Sequence, residues 1–229
     1  MTPKQKEEAL VELYGQWSAC TRCRLHEPQG RTRKNVVFGE GNPHAPLMVV
    51  GEAPGDEEDK TGQPFEGASG NVINGFLESL SARRDDIFIV NVVGCRPTEL
   101  ENPKRNRAPE SDEIKACFPR LQKIIEIVDP FVILMLGDVA YKTLSSDKGT
   151  VTKHARNKFL DQVAVVTMGQ AAPITRTGYV TFHPSHLLRN WSTDSDSDVY
   201  WSYRMWERAF QVADMNAFLY RGTPIPNRK

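Results

Sequence analysis

Four short apolar runs do most to limit what this chain can fold into. Leu47–Gly51, Ile87–Val93, Phe131–Leu136 and Gly178–Phe182 are each too short for a buried helix, yet nearly every residue in them is apolar. Runs of that length and continuity read as strands covered on both faces. Segments with helical spacing lie between and around them. Residues 70–82 repeat apolar side chains at Val72, Ile73, Phe76, Leu77 and Leu80, with Ser69 placed to cap them. Residues 110–127 open on Pro109 and the acidic Glu110 and Asp112, as helix starts do. Asp138–Leu144 follows the third run, and 199–219 closes the chain with Tyr200, Tyr203, Trp206 and Phe210. Residues 4–18, with Leu10, Leu13, Tyr14 and Trp17 on one face, open it. Strand–helix alternation implies βαβ units. The expected fold is therefore α/β, a three-layer α/β/α sandwich around a central, mostly parallel four-stranded sheet, with 1–229 as a single domain. Val163–Met168 reads as an extra strand, and 20–46, 52–68 and 94–109 as loop.

In an open parallel sheet the site lies outside the carboxyl ends of the strands. That rule selects 51–67, 91–97, 137–138 and 183–189. The first holds Gly51-Glu52-Ala53-Pro54-Gly55 and Gly62-Gln63-Pro64-Phe65-Glu66-Gly67. Its glycines admit close backbone approach, and exposed N–H groups there can cradle an oxygen or anion. Phe65 stands among turn residues, where it either anchors the turn or stacks on a planar base. The last segment is His183-Pro184-Ser185-His186-Leu187-Leu188-Arg189. A histidine at a strand end can donate to a developing anion, a loop leucine can wedge between bases, and an arginine can meet phosphate. Each of these residues also has an ordinary structural reading.

The 29 basic and 29 acidic residues cancel, which argues against a protein that coats nucleic acid through bulk charge. Local basic groups remain, among them Arg31/Arg33/Lys34, Lys104/Arg105/Arg107 and Lys153/His154/Arg156/Lys158. At 39% hydrophobic and 25% charged the composition is that of a soluble globular chain. The polar opening residues lack the apolar core of a signal peptide, and no run is long enough to span a bilayer, so an intracellular, cytoplasmic protein is expected. In a reducing compartment, Cys20, Cys23, Cys95 and Cys117 point to a redox pair, a metal site or a cluster rather than to disulfides. Four thiolates suit a 4Fe-4S cluster and structural Zn²⁺ alike.

Taken in order, Gly51-Glu52-Ala53-Pro54-Gly55, Gly62-Gln63-Pro64-Phe65 with Gly67, Asn91-Val92-Val93 before Cys95-Arg96-Pro97, and the segment from His183 to Arg189 resemble the family 4, iron–sulfur uracil-DNA glycosylases. The resemblance implies a monofunctional enzyme that flips uracil out of DNA and hydrolyses its N-glycosidic bond. Phe65 would stack on the base, Asn91 would read its edge, and His183 would stabilise negative charge on O2. Gly51, Glu52, Ala53, Gly55 and Asp56 would line the pocket, with Glu52 or Asp56 positioning water. Ser185, Leu187 and Arg189 would meet the DNA, Leu187 filling the vacated stack. Cys20, Cys23, Cys95 and Cys117 would ligate a 4Fe-4S cluster. A monomer is expected, since the DNA site needs no symmetry mate and no heptad pattern appears. The alternatives are a superfamily member of altered base choice or mainly DNA-binding role, an iron–sulfur redox protein, and a zinc-stabilised binding module.

The chain departs from the family pattern in three places. Twenty-one residues separate Cys95 from Cys117, a long spacing that adds the basic loop Thr98 to Ala108. His186 replaces an aromatic Tyr. Acidic residues Asp194, Asp196 and Asp198 follow the proposed wedge, where like charge would oppose phosphate unless the stretch serves to cap the last helix.

Overall fold

In the computed structural model of the protein, residues 1–27, 34–145, 149–156, 163–168 and 173–223 are described. Arg31, Arg33 and Lys158 of the basic groups lie outside them. Among the described residues six strands form one sheet: β1 (Glu40–Gly41), β2 (Leu47–Gly51), β3 (Ile87–Asn91), β4 (Val132–Leu136), β5 (Val163–Met168) and β6 (Pro173–Thr181). Their order is β1-β3-β2-β4-β6-β5. The four central strands are parallel, in register Val50↔Val90, Val50↔Met135 and Met135↔Val180. Every residue of β2, β3 and β4 is buried, which is why their runs are continuously apolar rather than alternating. The expected four parallel strands are present, and two antiparallel edges are added to them. β5, on β6, coincides with the anticipated extra strand. β1, on β3, is two residues long and leaves no apolar run by which to read it.

Eight helices flank the sheet among the described residues: α1 (Pro3–Trp17), α2 (Asp56–Thr61), α3 (Ala68–Ser79), α4 (Ser111–Val128), α5 (Gly137–Leu144), α6 (Val151–Ala155), α7 (Pro184–Arg189) and α8 (Asp198–Arg221). Thr2 caps α1 in a reciprocal box with Gln5. α1 packs on α4, which lies against β3, and α8 crosses β2, β4 and β6. Trp206 of α8 meets Phe76 of α3 at 6.0 Å between ring centroids. No helix among the described residues is long and apolar enough to cross a membrane.

Two expectations need correction. Residues 52–68 are not all loop, because α2 forms within them. The Glu58 carboxylate accepts from the Gly55 N–H and the acidic first turn suits a helix start, signals outweighed in the sequence by the surrounding Gly and Pro. α3 starts two residues earlier than expected, at Ala68 with Gly67 as its N-cap, and Ser69 lies inside it rather than capping it.

Candidate active site and cysteine site

The carboxyl ends of the four parallel strands open into one cleft of about 830 Å³. Glu52, Ala53, Gly55, Asp56, Phe65, Asn91, His183, Ser185 and Arg189 all line it. Phe65 is buried and holds φ at +58°, a conformation that costs a bulky residue roughly 1–3 kcal/mol. The surroundings enforce it. The Arg84 guanidinium donates to the carbonyls of Pro64 at 3.0 Å and Phe65 at 2.5 Å, and is itself held by Glu40 and Asn74. A Cβ on Gly70 would stand 1.7 Å from the Phe65 carbonyl oxygen, so α3 meets this turn only through a glycine. Gly51 pairs in register with Asn91, and a Cβ there would lie 2.3 Å from the Phe65 ring and 2.5 Å from Asn91 Oδ1. The glycine is what lets ring and amide sit side by side.

Asn91 is 2% exposed, and its Oδ1 has no hydrogen-bond partner among the described residues. His183, at the N-cap of α7, takes the Ser185 backbone N–H on Nδ1 at 3.2 Å, with the Ser185 hydroxyl at 2.8 Å. An N–H can only donate, so Nδ1 is an acceptor and the neutral ring carries its proton on Nε2. Burial, with the Arg189 charge adding to it, lowers the His183 pKa to about 4. The imidazole is therefore neutral at physiological pH and offers an uncharged N–H donor. Gly137, at φ +83°, gives it room: a Cβ there would be 2.9 Å from His183 Cβ.

The two candidate carboxylates differ. Burial, then the nearby Asp138 charge, pushes Glu52 above the usual carboxylate range, and among the described residues no salt bridge engages it. Asp56 pairs with Lys60 and Arg96, which hold it below that range. The cations claim Asp56 and leave Glu52 available to a water. A third carboxylate, Glu58, went unrecognised in the sequence. It accepts from the N–H groups of Gly55 at 2.9 Å and Gly67 at 3.0 Å, tying the two glycine motifs to each other.

Cys20, Cys23, Cys95 and Cys117 border one small cavity whose walls include Leu25, Val93 and Ala116. No three His, Cys, Asp or Glu side chains among the described residues close around a single ion position. Burial raises the Cys23 thiol pKa, and Cys117, Glu113 and Cys20 push the same way against a backbone N–H from Leu25. Glu113, beside this site, has a side chain with 0% exposure. Burial pushes it up, but Arg107, the Glu110 N–H and Arg24 outweigh that and hold it below the ordinary range. Through Glu113 the Cys23–Arg24 segment and the 98–108 loop are both fastened to α4.

The sequence profile of the uracil DNA glycosylase superfamily matches residues 38–204. Type-4 uracil-DNA glycosylase of Thermotoga maritima is 38% identical over 82% of this chain and 88% of its own length. The type-4 enzyme of Pyrobaculum aerophilum is 38% identical over 79% and 85%. The chain belongs to the type-4 branch of the uracil-DNA glycosylase superfamily. The type-5 enzyme of Pyrobaculum aerophilum is more distant, 29% identical over 66% of each chain.

One expected DNA contact is set back from the surface: Leu187 is 1% exposed and part of the core. The exposed leucine of α7 is Leu188, 44% exposed and on the cleft. The segment is helical, and the turn directs Leu187 inward. The other departures explain one another. His186 stacks on Phe182 and pairs through Nε2 with Asp198 at 2.7 Å. Arg156 also holds Asp198, and Ser197 caps α8. Part of the acidic stretch is thus consumed in closing α8 against α7. The 98–108 loop is less free than its charge suggests, since Arg107 is turned onto Glu113 and Arg105 pairs with Glu99.

Proposed function

We propose that this protein is a monofunctional uracil-DNA glycosylase, a single domain acting as a monomer in base excision repair. The observation that carries the reading is the meeting, in one cleft, of a fixed aromatic face (Phe65), a buried amide whose Oδ1 has no partner among the described residues (Asn91) and a neutral imidazole donor (His183). A base stacked in a duplex is out of reach of such a cleft, so the nucleotide is flipped into it. Phe65 stacks on the ring, and the Asn91 amide donates and accepts along the uracil edge. The bond between C1′ and N1 breaks, and its electron pair leaves with uracil as an anion whose charge reaches O2. The His183 Nε2–H donates to that oxygen, a preorganised donor worth about 10²–10³ in rate. Water held by Glu52 adds to C1′, its proton is released, and an abasic site remains. Ala53 occupies a position where another branch of the superfamily has an aspartate, so Glu52 is the carboxylate left for this task. Ser185, Leu188 and Arg189 form the rim that meets DNA.

The cysteine site fits a 4Fe-4S cluster. It offers four soft thiol donors and an apolar wall, a donor set that suits such a cluster. Its chemistry there is structural, joining the Cys20–Cys23 segment, the strand-end loop at Cys95 and α4 at Cys117.

The test is incubation of end-labelled oligonucleotides bearing one uracil, single-stranded or paired with G or A, followed by alkali. Strand breaks only after alkali and only with uracil are the expected result. Intact DNA with cluster-loaded protein would overturn the activity and leave another damaged base or a binding role.

A further inference from the structure

Arg120, on α4, is fully buried, yet its partners are three carbonyls and one thiol. Nη1 donates to the Phe38 carbonyl at 2.8 Å. Nη2 donates to the Asn91 carbonyl at 2.6 Å, with Val92 O at 3.3 Å. Nε donates to Cys117 Sγ at 3.4 Å. A guanidinium stays protonated inside a protein, and a buried cation without a nearby negative charge is strongly unfavourable. Carbonyl dipoles satisfy its protons but carry no net charge. The acidic group in contact with it is Cys117, which also accepts the Gly94 N–H at 3.3 Å. The Cys117 sulfur therefore takes two hydrogen bonds, one from the strand-end backbone and one from the guanidinium.

We infer that Arg120 is a positioning residue that couples the cysteine site to the base pocket: its Nε sets a cation against Cys117 Sγ while its fork fixes the Asn91 and Val92 backbone behind the uracil-reading amide. The inference rests on the cluster reading above. Its geometric basis is that one rigid, planar side chain spans both places. Loss of charge and loss of fork are separable, because lysine keeps the first and not the second, and glutamine keeps neither in full.

The experiment compares purified, cluster-loaded wild type, Arg120→Lys and Arg120→Gln. It measures iron content, the band at about 400 nm, the cluster reduction potential, and inhibition of excision by free uracil. Arg120→Gln should shift the potential to more negative values, since a nearby cation favours the reduced cluster. Arg120→Lys should stay near wild type in potential. Both should bind free uracil about tenfold more weakly, as expected for a loosened hydrogen-bonding frame. A general packing role would weaken both variants without separating the two readouts. Wild-type potential and wild-type uracil inhibition in Arg120→Gln would overturn the inference. If that variant does not fold, unchanged uracil inhibition in Arg120→Lys overturns it, and weakened inhibition at wild-type potential supports it. Iron-free, colourless wild type would defeat the cluster reading itself, a separate outcome that the uracil measurement does not depend on.

Discussion

Two buried polar regions of this molecule are completed to different degrees. At Glu113 both carboxylate oxygens are engaged by Arg24, Arg107 and the Glu110 N–H, and the group holds chain segments in place. At Asn91 the amide is just as buried, but Oδ1 has no partner among the described residues, and beside it His183 keeps its ring proton on the unused nitrogen. Buried polar groups are nearly always satisfied, so one that is not invites an explanation. Here the unmatched groups share a cleft shaped for a planar ligand, and the matched one lies next to the cysteines. The difference separates what recognises from what supports.

Replacing the unmatched group is the strongest test of that division. Asn91→Ala should lower uracil excision by about 10³-fold. It should leave the urea midpoint unchanged or slightly raised, because an unpaired buried polar group disappears. An equal loss of stability and activity would show that Asn91 supports the fold after all. Glu113→Gln should do the reverse. Two arginines lose their anion, and stability should fall by about 3 kcal/mol. Iron content should fall with it, because Cys23 and Cys117 are no longer fastened together. Glycosylase activity per cluster-loaded molecule should stay near wild type. A variant of normal stability would mean that Arg24 and Arg107 are content with solvent.

A change of pH sharpens the comparison further. His183 has a pKa of about 4 in the folded protein against an ordinary 6.5, so its neutral form is the one the fold accepts. Above pH 6.5 neither folded nor unfolded chain protonates it, and the full stability is present. As pH falls from 6.5 towards 4, the unfolded chain takes up a proton that the folded one refuses, and stability drops. At pH 5 the loss amounts to about 2 kcal/mol. Urea titrations of wild type and His183→Gln at pH 7.5 and 5 check this, the variant lacking that share of the loss. Excision by wild type should show no inflection near pH 6.5. An inflection there that vanishes in His183→Gln would mean that the ring is charged when it acts.

The sheet was legible because β2, β3 and β4 are buried on both faces and so read as unbroken apolar runs. The cleft was legible because strand ends collect a parallel sheet's functional groups, and Phe65, Asn91 and His183 fall there. What stayed hidden has a common cause. Glu58, Arg84, Glu113 and Arg120 are charged, and in a sequence a charge reads as surface; for Glu113 and Arg120 burial follows from partners far along the chain, 89 residues away for Glu113 and Arg24 and 82 for Arg120 and Phe38. α2 was hidden by the glycines and prolines around it. Which leucine of α7 faces outward was not legible, because its six residues are too few to show which side of the turn faces inward.

That one-residue difference yields the smallest and most local prediction. Leu187 is core, and truncating it would open a cavity and confuse binding with stability. Leu188 is exposed on the cleft beside Arg189, so Leu188→Ala should alter stability by less than about 0.5 kcal/mol. If Leu188 fills the space a flipped nucleotide leaves in the stack, the variant should raise KM about threefold on uracil-containing duplex, a fraction of the few kcal/mol that unstacking a step costs. On a single strand, which has no stack to fill, it should behave as wild type. Steady-state kinetics on both substrates decide it. Equal effects on the two would make Leu188 a general contact, and no effect on either would return the wedge to a rearranged α7 in which Leu187 turns outward on DNA.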